Sequence, residues 1–469
     1  MFKFRQVVMV VLLLAQGIFE ALKEADDFSQ LEEQIHKLSQ QAAGQLFVEA
    51  LEEIDQRLLS QKEASFKVVG KRERTLLTSF GEITFKRRLY CDREGAYHIL
   101  LDQSLGLGPR RRISNRLMEI SLDLGTEMPF RRAAKVMGYL VPTISAMGIW
   151  KVLKESGEEA VNEATALRKA VFEGAKPIYG AKETEKLNIE ADEVYVKQQK
   201  GTKSKLGLKL VVGYEDKEGK KKRLVNRTTV AGLTKGEGIW EETDCVFSQK
   251  WDLEKVKQTR IGGDGASWIK KGMEHFPNSS YHLDPFHLRK RLCEALSFSS
   301  DSYEEVCSGI AALDLDKVNE ALTKSIKLSS GARRKRVKDL KRYLLSNWEG
   351  ISELPEEERL GTIEGQVRHT ITRRMKRIGA RWTTAGADRM SRLLAAKANN
   401  ELNSYASGSR INIKELLEFE PVLNKSCRNK QEDLEAWLRT SVPALSGPHT
   451  ARPWVKFILK ELTKIQDSA

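Results

Sequence analysis

Three carboxylates are the residues of this sequence best suited to chemistry: Asp192, Asp264 and Glu364. Asp192 ends a run of alternating apolar and polar residues, and Asp264 lies among glycines. Glu364 lies outside the apolar face of a predicted helix. Hard divalent ions such as Mg²⁺ prefer carboxylate oxygens as ligands. Two such ions, about 3.5–4 Å apart, activate a nucleophile and stabilise the leaving oxygen in many enzymes that cleave phosphodiesters. The three residues are therefore candidates for a site that holds two Mg²⁺ or Mn²⁺ ions.

The strand pattern around Asp192 predicts a polar face. Residues 187–192 alternate strictly, so Asn188, Glu190 and Asp192 point to one face of the strand and the apolar residues point to the other. Glu193 points away from the polar face. The chain has 65 acidic residues, and an aspartate on a strand is more often solvated or hydrogen-bonded than a metal ligand. The residues alone leave both interpretations open.

The choice of Glu364 as the third acid has rivals just upstream. Glu353, Glu356, Glu357 and Glu358 surround Pro355 in an acidic stretch that we interpret as an exposed linker. Glu364 instead begins a helix whose later turns are strongly basic. That arrangement can bring one carboxylate to a metal while the cations bind phosphate.

The elements that must position these carboxylates begin near residue 185, where the pattern changes from helical to strand-like. We predict five strands, at 187–192, 206–214, 223–230, 260–265 with its turn, and 280–284. A helical stretch at 251–258 precedes the fourth strand, Ala266 begins another helix, and Pro285 opens a third. This order matches a ribonuclease-H-like fold, in which an acid on the first strand lies beside one at the end of the fourth.

The fold class predicted is therefore α/β, with a ribonuclease-H-like core at 185–383 interrupted by an all-helical insertion at about 290–358. Before the core we predict a helical region at 1–70, a β-hairpin region at 71–108 and a helix-turn-helix-like region at 109–180. After it, 384–469 is predicted to be helical. Residues 7–14 superficially resemble a signal peptide, but the helical pattern continues beyond them, so we interpret them as part of a helix.

The helix-turn-helix prediction has a first helix at 130–137, Gly138 in the turn, and Thr143 as the cap of a second helix that ends near Lys154. An ordinary helical hairpin explains the same pattern. Candidate phosphate ligands in this region are Arg110, Arg111, Arg112, Arg131, Arg132 and Lys151. Further candidates follow Glu364: Arg368, Arg373, Arg374 and Lys376.

Composition limits the class of protein. The 469 residues include 79 lysines and arginines against 65 acidic residues, a net charge of +14 that favours a polyanionic partner. Five scattered cysteines without a C-x-x-C pair indicate a reducing compartment and argue against a zinc finger. No apolar run reaches the ~20 residues of a membrane span. We therefore expect a cytoplasmic protein with no membrane partner.

Several short motifs together resemble one protein family. They are Ile189-Glu190-Ala191-Asp192-Glu193, the segment 261–268, Asp284-Pro285-Phe286-His287, the segment 361–367, Arg373-Arg374-Met375-Lys376 and Arg381-Trp382-Thr383. Their order resembles that of bacterial insertion-sequence transposases with a DDE core, in the Mutator-like superfamily. The segment after residue 360 is most similar to the ISLre group, whose members are often described only as an uncharacterised protein family. The 100 residues between Asp264 and Glu364 leave room for the helical insertion of that superfamily.

The resemblance implies a function and assigns residues to it. It implies a transposase that binds transposon-end DNA and catalyses metal-dependent cleavage and strand transfer, with Asp192, Asp264 and Glu364 as the metal ligands. Asp284 and His287 are implied as an accessory pair, although a packing role for His287 is the alternative. The implied partners are the terminal inverted repeats, the target DNA and at least a second copy of the chain, and the implied location is the bacterial nucleoid.

Three alternatives to that function and to individual residue roles stay open. A nuclease or junction resolvase on the same fold would cleave DNA without joining it, and an inactive relic would only bind DNA. Trp268 and Trp382 could stack on a base or simply pack in the core.

Overall fold

The structure is a computed structural model, which describes residues 4–61, 65–109, 111–139, 141, 144–174, 178–199, 204–219, 223–351, 360–377 and 379–406. Nearly all of these belong to one compact unit, Met1–Gln56 with Lys62–Arg410. The other unit comprises Arg57–Gln61 and Ile411–Ala469, of which only the first segment is described. Arg110, Thr143 and the acidic residues at 353–358 lie outside the described residues.

The N-terminal region contains two helices and a hairpin. Helices α1 (Phe4–Glu24) and α2 (Phe28–Gln61) precede strands β1 (Lys67–Thr78), β2 (Gly81–Cys91) and the short β3 (Tyr97–His98). Gly81 adopts a φ of 101°, which suits glycine at the end of the tight turn between β1 and β2. Helix α2 is fixed to the hairpin by a buried ion pair of 2.5 Å between Asp55 and Arg88. The predicted helical region and β-hairpin are both present, and β1 begins four residues before the predicted hairpin region of 71–108.

Four helices follow: α3 (Leu100–Ser104), α4 (Asn115–Glu127), α5 (Phe130–Gly138) and α6 (Ala146–Phe172). The first helix of the predicted helix-turn-helix agrees with α5 to within one residue. The predicted bounds of the second helix were wrong at both ends. The helix begins later than predicted, because Ser145 caps α6 by accepting a hydrogen bond from the Gly148 N–H at 3.0 Å. Buried apolar residues recur through Ala160 without an interrupting proline, so the helix continues well beyond Lys154.

The largest sheet among the described residues is mixed and has five strands. Its strands are β4 (Lys186–Lys197), β5 (Lys205–Tyr214), β8 (Thr228–Gly232), β9 (Gln258–Gly263) and β10 (Ser279–Leu283), in the order β10-β9-β4-β5-β8. Strands β9 and β10 run parallel to β4, and β5 is antiparallel to both β4 and β8. The predicted third strand is divided in two, because β6 (Lys217–Glu218) and β7 (Arg223–Leu224) form a separate small ribbon before β8.

Helices α7 (Gly236–Lys250) and α8 (Ser267–Lys270) contact the sheet, and α9 (Pro285–Leu296) follows β10. Of the helix predicted at 251–258 only one 3₁₀ turn (Leu253–Lys255) forms, and the α-helix of this region, α7, ends at Lys250. Trp251 is buried in an extended conformation, and its indole N–H donates to Glu215 at 2.7 Å. Gly236 and Gly238 lower the intrinsic helix preference of the true helix, which obscured it in the sequence.

The predicted all-helical insertion is present in its described part. Helices α10 (Ser300–Ala311), α11 (Leu315–Leu328) and α12 (Gly331–Asn347) pack with α9 around their own apolar cluster. The chain then forms α13 (Ile363–Val367), a π-helical turn (Arg368–Thr372) and α14 (Arg373–Met375), followed by α15 (Thr384–Ala398). Helix α15, which lies beyond the predicted core boundary at 383, packs against β8, β5 and α6. Within the described residues, no helix is both long and apolar enough to cross a membrane.

Candidate metal centre

Two of the predicted acids lie on or directly after neighbouring parallel strands. The register of β4 and β9 pairs Glu190 with Gly262. Asp192 lies two residues further along β4, and Asp264 directly follows Gly263, the last residue of β9. Asp192 is buried, whereas Asp264 is partly accessible at the point where β9 ends. The sequence-based expectation that an acid of the first strand lies near one at the end of the fourth agrees with this geometry.

A third acid and a histidine converge on Asp192. Asp192, His287 and Glu364 each offer one ligand atom, and these atoms all lie within 4.8 Å of one another. They come from β4, from the first turn of α9 and from the first turn of α13. Three segments distant in the sequence therefore present carboxylate and imidazole groups to one small volume, as a metal centre requires.

The environment of Asp192 disfavours its charge when no metal is bound. Burial raises the pKa of Asp192 from 3.8 to about 6, and the negative charges of Asp264 and Glu364 contribute to the rise. The N–H of Glu193, which donates to Asp192 at 2.7 Å, and the nearby His287 oppose it. A cation would remove this electrostatic penalty, so the site favours binding one.

Asp284 orients His287 toward the cluster. Asp284 is buried, caps α9 by accepting from the Phe286 N–H at 2.9 Å, and contacts Nδ1 of His287 at 2.7 Å. This hydrogen bond raises the pKa of His287, and the charges of Asp284, Asp192 and Asp264 act in the same direction. Because Nδ1 faces Asp284, Nε2 is the nitrogen left for an ion, an arrangement common around metal-binding histidines.

Asp264 lies beside the three-residue group rather than within it. Its Oδ1 accepts from the Ala266 N–H at 3.0 Å, and its carbonyl accepts from the Tyr343 hydroxyl at 2.9 Å. The next residue, Gly265, has a φ of 93°, and a Cβ there would lie 2.8 Å from Asn347. The glycine lets α12 approach the end of β9, so the insertion contacts the candidate site directly.

Glu190 is a functional candidate that sequence reasoning did not select. It is 1% exposed, and its carboxylate accepts hydrogen bonds from the start of α13, the helix that carries Glu364. The alternation of β4 placed Glu190 on the same face as Asp192, which was the available signal. Its partners at the start of α13 are more than 170 residues away, and no local pattern reveals them.

The donor set fits a divalent cation. Carboxylate oxygens suit Mg²⁺ and Mn²⁺, and an imidazole adds affinity for transition ions such as Mn²⁺. Among the described residues, neither lysine nor arginine forms an ion pair with Asp192, Asp264 or Glu364. In the part of the chain that the structure describes, His287 is therefore the basic side chain that offsets the negative charge of the cluster.

The predicted phosphate ligands differ in accessibility. Arg112, Arg131, Arg132, Lys151, Arg368, Arg373 and Lys376 are exposed. Arg111 is half-buried, and its guanidinium donates to Asn115 at 3.0 Å. Arg374 requires a correction: it is 6% exposed and donates to the Gly125 carbonyl at 2.9 Å, with aromatic rings nearby, so it is a packing residue rather than a free phosphate ligand.

The two tryptophans considered for base stacking differ. Trp268 packs in the apolar cluster beside the sheet, with its ring 6.1 Å from that of Trp240. Trp382 lines a cavity of about 610 Å³ together with Phe130 and Trp150, and its indole N–H donates to the Met375 carbonyl at 3.0 Å. Core packing therefore accounts for Trp268, whereas Trp382 faces accessible space.

Comparison with known proteins identifies relatives along most of the chain. A UPF0236 protein of Caldanaerobacter subterraneus subsp. tengcongensis is 28% identical over 412 residues, covering 85% of this chain and 84% of the relative. Its name joins eleven locus labels. A "UPF0236 protein in vanSb 3'region" of Streptococcus gallolyticus is 25% identical over 424 residues, covering 86% and 92%. The family model described as "Uncharacterised protein family (UPF0236)" matches residues 21–406, and the chain belongs to that family.

Proposed function

We propose that this protein is a DDE-type transposase, which binds the ends of a DNA element, cleaves them and joins them to a target. The convergence of Asp192, Glu364 and His287, with Asp264 directly after the adjacent strand β9, carries the proposal. Acidic clusters of this kind bind the divalent ions that drive phosphodiester chemistry. When bound, a pair of ions would activate the attacking oxygen and stabilise the leaving one.

The reaction needs no energy source beyond the DNA itself. Water attacks a phosphodiester at the element's end and releases a 3′ hydroxyl. That hydroxyl then attacks a phosphodiester of the target, so one P–O bond forms as another breaks. Asp192 and Glu364 would hold the ions, and His287 would add a nitrogen ligand that Asp284 orients.

The topology of the sheet supports a ribonuclease-H-like core. The first strand, β4, lies at the centre, with the second and third on one side and the fourth and fifth on the other. The first three principal strands are antiparallel neighbours, and the last two run parallel to the first. This order brings the acid of the first strand next to that of the fourth, as the proposed chemistry requires.

The charge of the molecule supports DNA as the substrate. The chain carries a net charge of +14, and Arg368, Arg373 and Lys376 are exposed on the turns that follow Glu364. Cations beside a metal site can hold the phosphates on either side of the scissile bond. The exposed Arg131 and Arg132 at the start of α5 extend the basic surface.

The naming of one relative also supports a mobile element. Its eleven locus labels belong to one organism, as expected when the same protein is encoded many times in a genome. An element that copies or moves its own DNA produces that pattern. A housekeeping nuclease gives no reason for it.

The experiment that tests the proposal is a cleavage and joining assay with the full chain. Labelled duplexes from the DNA flanking its gene are incubated with a supercoiled target and Mg²⁺ or Mn²⁺, with EDTA and a scrambled flank as controls. The proposal predicts cuts at a fixed flank position and joined products. Cleavage without joining would replace the transposase with a nuclease, and binding without cleavage would indicate a relic.

A further inference from the structure

Glu190 lies at a junction between the sheet and the helix that carries the third acid. It lies within β4 and pairs with Val212 on one side and Gly262 on the other. Only 1% of its surface is exposed, so its carboxylate is removed from water. A buried carboxylate is costly unless its oxygens are fully hydrogen-bonded.

The carboxylate of Glu190 accepts five hydrogen bonds. Oε2 accepts from the backbone N–H groups of Gly361 and Thr362, both at 2.8 Å, and of Ile363 at 3.1 Å. Oε1 accepts from the hydroxyls of Thr362 and Tyr214, both at 2.6 Å. Four of these five bonds are donated by three successive residues, Gly361, Thr362 and Ile363, which immediately precede Glu364.

The contact replaces the usual local cap of α13. Thr362 is the N-cap residue of that helix, yet its side chain makes no capping bond. The first N–H groups of a helix need acceptors, and a carboxylate suits them because the helix N-terminus is partially positive. Here the acceptor is supplied by the strand that also carries Asp192, two residues further along.

We propose that Glu190 is the positioning residue that holds Glu364 beside Asp192, by clamping the N–H groups of residues 361–363 to β4. One carboxylate on the polar face of β4 thus holds the helix, and the next on that face belongs to the metal cluster. Because both are on one rigid strand, the spacing between the metal ligands is fixed before any ion binds. This inference rests on the metal site of the proposed function.

Substitutions separate this role from metal ligation. Glu190→Gln keeps one acceptor oxygen, which can still receive the three N–H groups, while its amide can donate to hydroxyls that rotate to accept. Glu190→Ala removes every acceptor. A positioning residue therefore tolerates glutamine and not alanine, whereas a metal ligand tolerates neither.

The readout is Mn²⁺ affinity of the full chain, measured by electron paramagnetic resonance, alongside the cleavage rate. We expect Glu190→Ala to weaken Mn²⁺ binding about 10–100-fold, the usual effect of losing an outer partner of a metal ligand. Glu190→Gln should stay within about threefold of wild type in both measurements. Equal losses in both variants, or unchanged affinity in Glu190→Ala, would overturn the proposal.

Thr362→Val keeps the test decisive if Glu190→Ala does not fold. Valine keeps the branched shape and the backbone N–H but removes the hydroxyl that donates to Oε1. Mn²⁺ affinity should fall about threefold or more, and an unchanged value would contradict the clamp. Mn²⁺ binding does not depend on DNA chemistry, so failure of the transposase proposal would be seen separately, as wild-type protein that binds Mn²⁺ but does not cleave.

Discussion

At the scale of single residues, the candidate metal site of Asp192, His287 and Glu364 contains a carboxylate whose charge the folded protein disfavours. Asp192 is 8% exposed, and burial raises its pKa to about 6. Between pH 3.8 and 6 the folded, metal-free protein therefore binds a proton that the unfolded chain has released. Stability falls as pH rises through this window, and the penalty is fully present above it. Functional sites commonly contain groups whose burial destabilises the folded protein.

Asp192→Asn should therefore stabilise the metal-free protein. Asparagine cannot ionise, so the variant avoids the penalty, which is up to about 3 kcal/mol at pH 7.5 and about half of that at pH 5. Denaturant unfolding in EDTA at both pH values measures the difference. A variant less stable than wild type at pH 7.5 would contradict the assigned cause.

His287 should influence which metal the protein prefers. An imidazole ligand favours Mn²⁺ over Mg²⁺ relative to an all-carboxylate site. We expect Mn²⁺ to support cleavage at lower concentration than Mg²⁺, and His287→Ala to reduce that preference about tenfold. His275 is the control, since it is similarly enclosed and lies 3.9 Å from Asp244. An unchanged preference in His287→Ala would assign His287 to packing.

At the scale of elements, α12 joins the candidate site to a basic surface. Its last turns reach Asp264 through Tyr343, while Val337, Leu340 and Leu344 bury its other face. The opposite end exposes Arg333, Arg334, Lys335, Arg336 and Lys338, which form no ion pair within the described residues. The helix has 17 residues and is about 25 Å long, so it can follow a duplex away from the site.

Replacing these five residues with glutamine should weaken DNA binding and leave Mn²⁺ binding unchanged. Each lost phosphate contact reduces the slope of log affinity against log salt by about 0.9, so we expect a reduction of about 2–4. Fluorescence anisotropy across a salt series measures it. The control replaces Lys317, Lys324 and Lys327 on α11, which is also exposed but carries acidic residues among its lysines. Equal effects would mean that net charge, rather than α12, matters.

The elements differ in how far the sequence predicted them. The starts of β4 and α9 were predicted to within one residue because strict alternation and Pro285 are local signals, whereas β4 continues five residues beyond its predicted end at 192. Helix α7 was misplaced, since its glycines weaken the helical signal and a tertiary contact of Trp251 sets its end. Glu364 was chosen from its helical face and its basic neighbours, and it lies in the metal cluster. The contact between Glu190 and residues 361–363 forms only when the chain folds, so no local sequence pattern predicts it.

At the scale of the whole molecule, helices α4 and α6 share one apolar cluster with the five-stranded sheet. Leu117 and Ile149 of helices α4 and α6 belong to the same cluster as Leu208 of β5 and Leu393 of α15. Cutting the chain near residue 175 would expose that surface to water. DNA binding is therefore best measured on the full chain, where exposed arginines such as Arg131 can be replaced one at a time.

The central claim is that Glu364 and Asp192 hold the metal for strand cleavage, and one measurement tests it most directly. Wild type, Asp192→Ala, Glu364→Gln and the control Glu357→Gln are compared for binding and Mg²⁺-dependent cleavage of labelled end DNA. We predict that Asp192→Ala and Glu364→Gln bind the DNA like wild type but cleave it at least about 100-fold more slowly, the scale of losing a main electrostatic catalyst, while Glu357→Gln cleaves almost normally. Near wild-type cleavage by Glu364→Gln, with activity lost in Glu357→Gln, would move the third acid into the upstream stretch and contradict the account.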